Sequence, residues 1–191
     1  MLKRTLIDRT MLPAALLPAA KAHARVESDV IRDDDQIKAM IARAIDAFER
    51  LNEFHVNPAV WTWSPMGVWM SFPDGSSGWR IPVQPVLTFG ATDADLVDVA
   101  DQFTIAEGGD PDQFALCFML ATTPGATEPA GVTFTLNVGY SDPASLPPGI
   151  ADGVMNATAW LYENRETAAM SGVDLFPTIN RFFTGYWVPR A

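Results

Sequence analysis

The sequence predicts an α+β fold, a small helical bundle with an antiparallel β-sheet inserted between N-terminal and C-terminal helices. Near both ends, apolar residues recur at helical spacing: Ile37, Met40, Ile41, Ala44, Ile45, Phe48 and Leu51 early, Ile150, Val154, Ala157 and Leu161 late. Between them, after Asn57-Pro58, aromatic and β-branched runs are cut by turn formers. At 191 residues, 48% hydrophobic and 19% charged, the chain fits one globular domain, 1–191. Within it we expect N-terminal helices (1–55), an inserted β-rich region (56–140), a C-terminal helix (141–175) and an aromatic tail (176–191).

The first residues imitate an export signal, with Lys3 and Arg4, then an apolar run, then Ala22-His23-Ala24. Asp8 and Arg9 interrupt it, Pro13 and Pro18 break it, and it falls short of the roughly 20 residues a membrane span needs. It therefore reads as part of the mature protein. A short helix is expected over Ala19 to Val26, after Leu17-Pro18. A longer one follows over Asp33 to Leu51. Asp33, Asp34 and Asp35 supply cap and first-turn carboxylates suited to the helix dipole. Lys38, Arg43, Asp46, Glu49 and Arg50 form its polar side.

Strands are expected at Ala59–Trp63, Val68–Phe72, Trp79–Val83, Val86–Phe89, Gln102–Ala106, Phe114–Ala121 and Val132–Tyr140. Turns are expected at Pro73-Asp74-Gly75, Gly108-Gly109-Asp110-Pro111 and Thr123-Pro124-Gly125. In the last strand Val132, Phe134, Leu136 and Val138 alternate with Thr133, Thr135 and Asn137, so one face is buried and the other wet. Pro147 and Pro148 then launch a helix, where a missing N–H is harmless. Small residues such as Gly153 and Ala157 let another element approach it closely. The tail concentrates Phe176, Phe182, Phe183, Tyr186 and Trp187, which need a partner surface or a place in their own core.

Composition excludes several functions. From Ile81 to Asn164 there is no Lys or Arg, and the formal net charge is -10. Such a surface repels phosphate, so sequence-specific recognition of nucleic acid through a basic patch is not expected. Cys117, the only cysteine, sits in an apolar run, and one thiol makes no internal disulfide. A Cys-His pair with His23 or His55 has no local support. The series Asp93, Asp95, Asp98 and Asp101 lacks the glycine and distant bidentate Glu of a calcium loop and reads as an acidic helical or turn segment. No phosphate-cradling or dinucleotide-binding glycine loop is present. The sequon Asn156-Ala157-Thr158 falls inside a predicted helix and is set aside. We expect no enzyme, no cofactor and no metal.

In order, Ala20-Lys21-Ala22-His23-Ala24-Arg25-Val26, the acid-led helix, Trp61-Thr62-Trp63, Asn137-Val138-Gly139-Tyr140 with Asp142, and a proline-launched helix ending Tyr162-Glu163-Asn164-Arg165-Glu166 make a specific series. It resembles the head-to-tail connectors, or adaptors, of tailed phages and of gene transfer agents. The family usually has Leu where Ala24 stands, and a more glycine-rich loop than Glu53-Phe54-His55-Val56. The resemblance implies a ring, typically of twelve copies, in the neck of a virion assembled in the host cytoplasm. It would sit under the portal protein, meet a stopper or tail-completion protein, and let double-stranded DNA pass without sequence-specific binding. It implies no membrane.

With that reading, Phe176, Phe182, Phe183, Tyr186 and Trp187 are expected to dock on the portal. Tyr162, Glu163, Asn164, Arg165 and Glu166 are expected at contacts between subunits. Some of Asp93, Asp95, Asp98, Asp101, Glu107, Asp110 and Asp112 are expected to line the channel, where carboxylates repel a passing duplex. The rival is a β-rich domain whose Trp61, Trp63, Trp69 and Trp79 form a carbohydrate platform.

Overall fold

The computed structural model describes residues 1–52, 54–108, 116–166 and 176–183. Helix and antiparallel sheet are both present, in two compact units. One comprises residues 1–7 and 58–139, the other residues 8–57 and 140–190.

The first unit holds two four-stranded antiparallel sheets rather than the one expected. Its strands are β1 (Leu2–Ile7), β2 (Ala59–Trp63), β3 (Met70–Ser71), β4 (Ser77–Arg80), β5 (Val86–Thr92), β6 (Phe103–Gly108), β7 (Leu116–Ala121) and β8 (Thr133–Val138). The sheet orders are β1-β2-β8-β5 and β3-β4-β7-β6. In β8, Phe134, Leu136 and Val138 are buried while Thr135 and Asn137 are exposed, the alternation read from sequence. Phe134 meets Trp63 of its own sheet at 5.3 Å, and Phe103 and Trp79 of the other at 5.0 and 6.0 Å. Ring pairs in tilted and edge-on geometry thus join the two sheets through one apolar core.

Strand β1 was not foreseen, because the N-terminal region was expected to be helical. Three consecutive polar residues, Lys3, Arg4 and Thr5, separate Leu2 from Leu6 and hide the strand from a pattern search, and pairing with β2 supplies the hydrogen bonds a lone segment would lack. The expected strand 68–72 shortens to two residues. Gly75, at φ +84°, and Gly125, at φ +70°, turn the chain where expected, in a region that L side chains rarely adopt. Residues 109–111 of the third expected turn lie outside the described residues.

The second unit contains α1 (Met11–His23), α2 (Asp34–Asn52), α3 (Pro148–Glu163) and a short α4 (Phe176–Asn180) that runs into a single 3-10 turn, Arg181–Phe183. Helix α1 begins eight residues earlier than Ala19 and carries Pro18 in its interior. Asp8 explains the start: its Oδ1 accepts from Thr10 N at 2.8 Å and Met11 N at 3.1 Å. Leu12, Leu16 and Ala20, four residues apart, are buried, and their burial outweighs the hydrogen bond that Pro18 cannot make. On α2, Ile37, Met40, Ile41, Ala44, Ile45 and Phe48 are buried as the spacing predicts. On α3 the expected Ile150, Val154, Ala157 and Leu161 are buried, together with Gly153, Met155 and Thr158.

Candidate functional site

The helix end at Tyr162–Glu166 is tied to the start of α2. Tyr162 Oη donates to Asp33 Oδ2 at 2.7 Å, and Arg165 Nη1 lies 4.0 Å from the same oxygen. The Arg165 guanidinium also stands over the Tyr162 ring, 5.5 Å from its centroid. The hydrogen bond to the Asp33 carboxylate, which favours the neutral phenol, raises the Tyr162 pKa above its ordinary value. Asn164 caps its own helix, its Nδ2 donating to Trp160 O at 2.8 Å. Three of the five residues expected at a contact between subunits therefore have partners within their own unit. Glu163 and Glu166 are exposed.

Two further polar groups join the helical segments, in contacts that the sequence did not foretell. Lys21 is 5% exposed, and its Nζ donates to Ser28 O at 3.0 Å, Val30 O at 2.8 Å and Asp34 Oδ1 at 2.9 Å. A charged residue between Ala20 and Ala22 on an apolar helix was the available signal. Glu49, assigned from sequence to the polar side of α2, turns inward. Its Oε1 accepts from Val56 N at 2.9 Å, Asn57 N at 2.8 Å and Asn57 Nδ2 at 3.1 Å. Burial is the largest influence on this carboxyl and raises its pKa above the ordinary glutamate value, against the pull of the three donors. His23 Nε2 lies 3.1 Å from Asn156 Oδ1, so the sequon asparagine is spent on a contact between α1 and α3.

The aromatic tail divides. Phe183 is buried, 4.9 Å from the Phe48 ring. Gly153 makes room for it, since a Cβ at that position would stand 2.5 Å from the Phe183 ring. The Phe183 ring therefore packs within its own helical unit. Phe182 is half-buried beneath Arg181, 4.9 Å from ring centroid to guanidinium, and Arg181 also faces Trp160. Tyr186 and Trp187 lie outside the described residues, as does the Phe176 side chain.

The acidic series makes turns followed by one short 3-10 helix, Ala100–Gln102, that contains Asp101. Asp93 Oδ1 accepts from Asp95 N at 2.9 Å and Val97 N at 3.0 Å, and Asp98 Oδ1 accepts from Ala100 N at 2.9 Å. These bonds fix a tight turn with Leu96 at φ +63°, a conformation uncommon for a residue with a branched side chain. Asp95, Asp98 and Asp101 are exposed. Asp110, Asp112 and the Glu107 side chain lie outside the described residues.

The tryptophan platform does not form. Trp63 and Trp79 are core residues at 6% and 2% exposure, Trp69 stands edge-on to Trp79 at 4.5 Å, and half-buried Trp61 lies under Arg4. The rings are used to fill the space between the sheets, which leaves no coplanar exposed set for a sugar. No group of His, Cys, Asp and Glu suited to a metal ion occurs among the described residues. Nor, among them, is any helix long and apolar enough to cross a membrane.

No protein-family model and no curated protein matches the chain. Solved structures do. A chain from the virion of a native gene transfer agent (GTA) particle matches with a TM-score of 0.63 at 19% identity, covering 100% of this chain and 97% of that one. A chain from the neck of an empty GTA particle, computed with C6 symmetry, gives 0.61 at 18%, with the same coverage. A chain from the neck of a native GTA particle, computed with C12 symmetry, gives 0.59 at 16%, again with 100% and 97% covered. At such identity the likeness is one of fold, and it runs the full length of the chain.

Proposed function

We propose that this protein is a structural component of a virion neck, a head-to-tail connector that forms a ring beneath the capsid portal and bridges it to the tail. The observation that carries this reading is the full-length fold likeness to chains of GTA particles, two of them from necks computed with C6 and C12 symmetry. Twelve copies fit that symmetry. Its partners are the portal protein on one side and a stopper or tail-completion protein on the other. Its role is to hold the particle together and pass double-stranded DNA, with no catalytic step, no cofactor and no membrane. Copies wait in the host cytoplasm and act in the virion.

Portal docking is assigned to the tail, now centred on Tyr186 and Trp187 with Phe176 and Phe182 at its base. Burying a few such rings supplies several kcal/mol per copy, multiplied around a ring. Between subunits, Glu163, Arg165 and Glu166 are the exposed groups of the α3 end, while Tyr162 and Asn164 shape it. A subset of Asp93, Asp95, Asp98, Asp101, Glu107, Asp110 and Asp112 faces the channel, where a basic wall would retain phosphate by counterion release.

Light scattering behind size-exclusion chromatography tests the reading on a mixture with portal protein from the same particle. The full chain is expected to co-elute in a large assembly. Because Ile179 and Phe183 are buried, the informative truncation ends at Phe183. That chain should stay folded and fail to join the portal. Binding by the truncated chain removes the docking role of Tyr186 and Trp187, and a full chain that ignores the portal overturns the connector reading.

A further inference from the structure

We infer that two surfaces of the sheet unit are complementary halves of a contact between copies of this chain: the Leu96–Val97 turn of one copy seats in an apolar groove on the β3-β4-β7-β6 sheet of the next. The inference deepens the ring reading above and rests on it for the closure of the contact into a ring. The groove is the outer face of that sheet. It has a volume of about 410 Å³, and Phe72, Pro73, Ala106, Phe118 and Leu120 line it, with Asp74 and Ser76 at its edge. Phe72 and Phe118 meet edge-on at 5.3 Å, giving the groove a rigid aromatic wall. On the opposite face of the same sheet, Trp79 and Met119 belong to the core, so these outward residues are surplus to the unit's own packing.

Arg80 adds a charge to this face. It stands opposite Phe118 in the β4–β7 register, and its Nε is buried without a hydrogen-bond partner among the described residues. It is also the only Lys or Arg between Arg50 and Arg165. A half-buried guanidinium of this kind favours an incoming carboxylate. The carboxylate at the groove edge, Asp74, is committed to its own turn, accepting from Ser76 N at 3.0 Å and Ser76 Oγ at 2.6 Å.

The turn supplies the matching shape and charge. Leu96 is 83% exposed and Val97 56%, adjacent apolar side chains standing clear of the unit. The Asp93 carboxylate and the bridge between Thr92 and Asp98 hold them in place, so little conformational entropy is lost on seating them. Asp95, exposed beside the apolar pair, is the carboxylate that reaches Arg80 of the neighbour, whereas Asp98 accepts from Ala100 N in its own turn. The exposed pair Met66 and Val68 has no acid beside it and offers the groove no such charge match. Knob and groove are different surfaces of one chain, so the contact is head-to-tail, the kind that generates rings when its rotation closes. Asp95 is thereby assigned to the subunit contact and leaves the set that faces the channel.

Cross-linking of the full chain tests this. In a Cys117→Ser background, Leu96→Cys with Ala106→Cys, treated with a short bis-maleimide, is expected to give a ladder of covalent multimers. Either cysteine alone should give none. Arg80→Glu should erase the ladder, and adding Asp95→Lys should restore it. A ladder absent from the double-cysteine protein, or dimers from Leu96→Cys alone, overturns the contact, as does a ladder from a cysteine at Met66 paired with Ala106→Cys in place of the Leu96 one. Electron microscopy of the same samples separates this from the ring reading. Rings without the ladder sink the contact alone, whereas a ladder that never closes keeps the contact and sinks the ring.

Discussion

Glu49 gathers three donors on one carboxylate oxygen, all from the buried residues Val56 and Asn57, and two of them are backbone N–H groups. Removing the acceptor leaves both unpaired, so Glu49→Ala should cost about 2–4 kcal/mol of unfolding free energy. Glu49→Gln keeps an oxygen in place and relieves the burial of charge, and should cost far less. The pH dependence has a definite sign. Because the folded-state pKa lies above the ordinary value, protonated Glu49 favours the fold. The wild-type advantage over Glu49→Gln is therefore largest below the unfolded glutamate pKa and falls as pH rises through the raised one. Urea titrations of both proteins across that window check it, and an advantage that grows with pH contradicts the assignment. Lys21 makes the parallel case with opposite charge. Lys21→Met should cost about 3 kcal/mol, because Asp34 and two carbonyls lose a shared donor in a poorly solvated place. Thermal melts of the variant report it directly.

Helix α3 is the element whose sequence and packing agree most closely. Its prolines open it, its apolar stripe is buried at each expected position, and Gly153 admits the Phe183 ring. Helix propensity alone says Gly153→Ala should stabilise by up to about 1 kcal/mol. The Phe183 contact says the reverse, since the added methyl must push that ring aside, at about 1–3 kcal/mol. The two are separated by a double-mutant cycle with Phe183→Ala. Gly153→Ala should destabilise the wild type and become neutral or stabilising once the ring is gone. A loss of equal size in both backgrounds places the strain elsewhere.

For the molecule as a whole, the distribution of charge is the dominant physical fact. With a net charge of -10 and a single Lys or Arg between Arg50 and Arg165, the long acidic middle of the chain repels phosphate. We expect no retention of a 30-base-pair duplex by the protein at about 50 mM salt, where counterion release would expose even weak basic contacts. Filter binding reads this, and measurable affinity that declines with salt contradicts the role proposed for the acids. At about 0.15 M salt the screening length is roughly 8 Å, so the carboxylates act only on a duplex that drifts close to the wall.

Much of the fold was legible in the sequence because local patterns carry local information. Period-two alternation in β8 and the helical stripes of α2 and α3 each follow from which residues must leave water. The turn glycines at 75 and 125 follow from φ values other residues avoid. What the tertiary structure decided concerns pairs far apart in the chain. Strand β1 exists because β2, more than fifty residues later, offers it a ladder. Helix α1 runs through Pro18 because burial of Leu12, Leu16 and Ala20 outweighs a local penalty. Glu49 faces inward because Val56 and Asn57 bring their N–H groups to it. Phe183 joins the core because Gly153 leaves space. The tryptophans fill the interior of two sheets that no local pattern distinguishes from one. In each case the deciding energy is desolvation or a hydrogen bond between distant residues, and spacing along the chain does not encode where those residues meet.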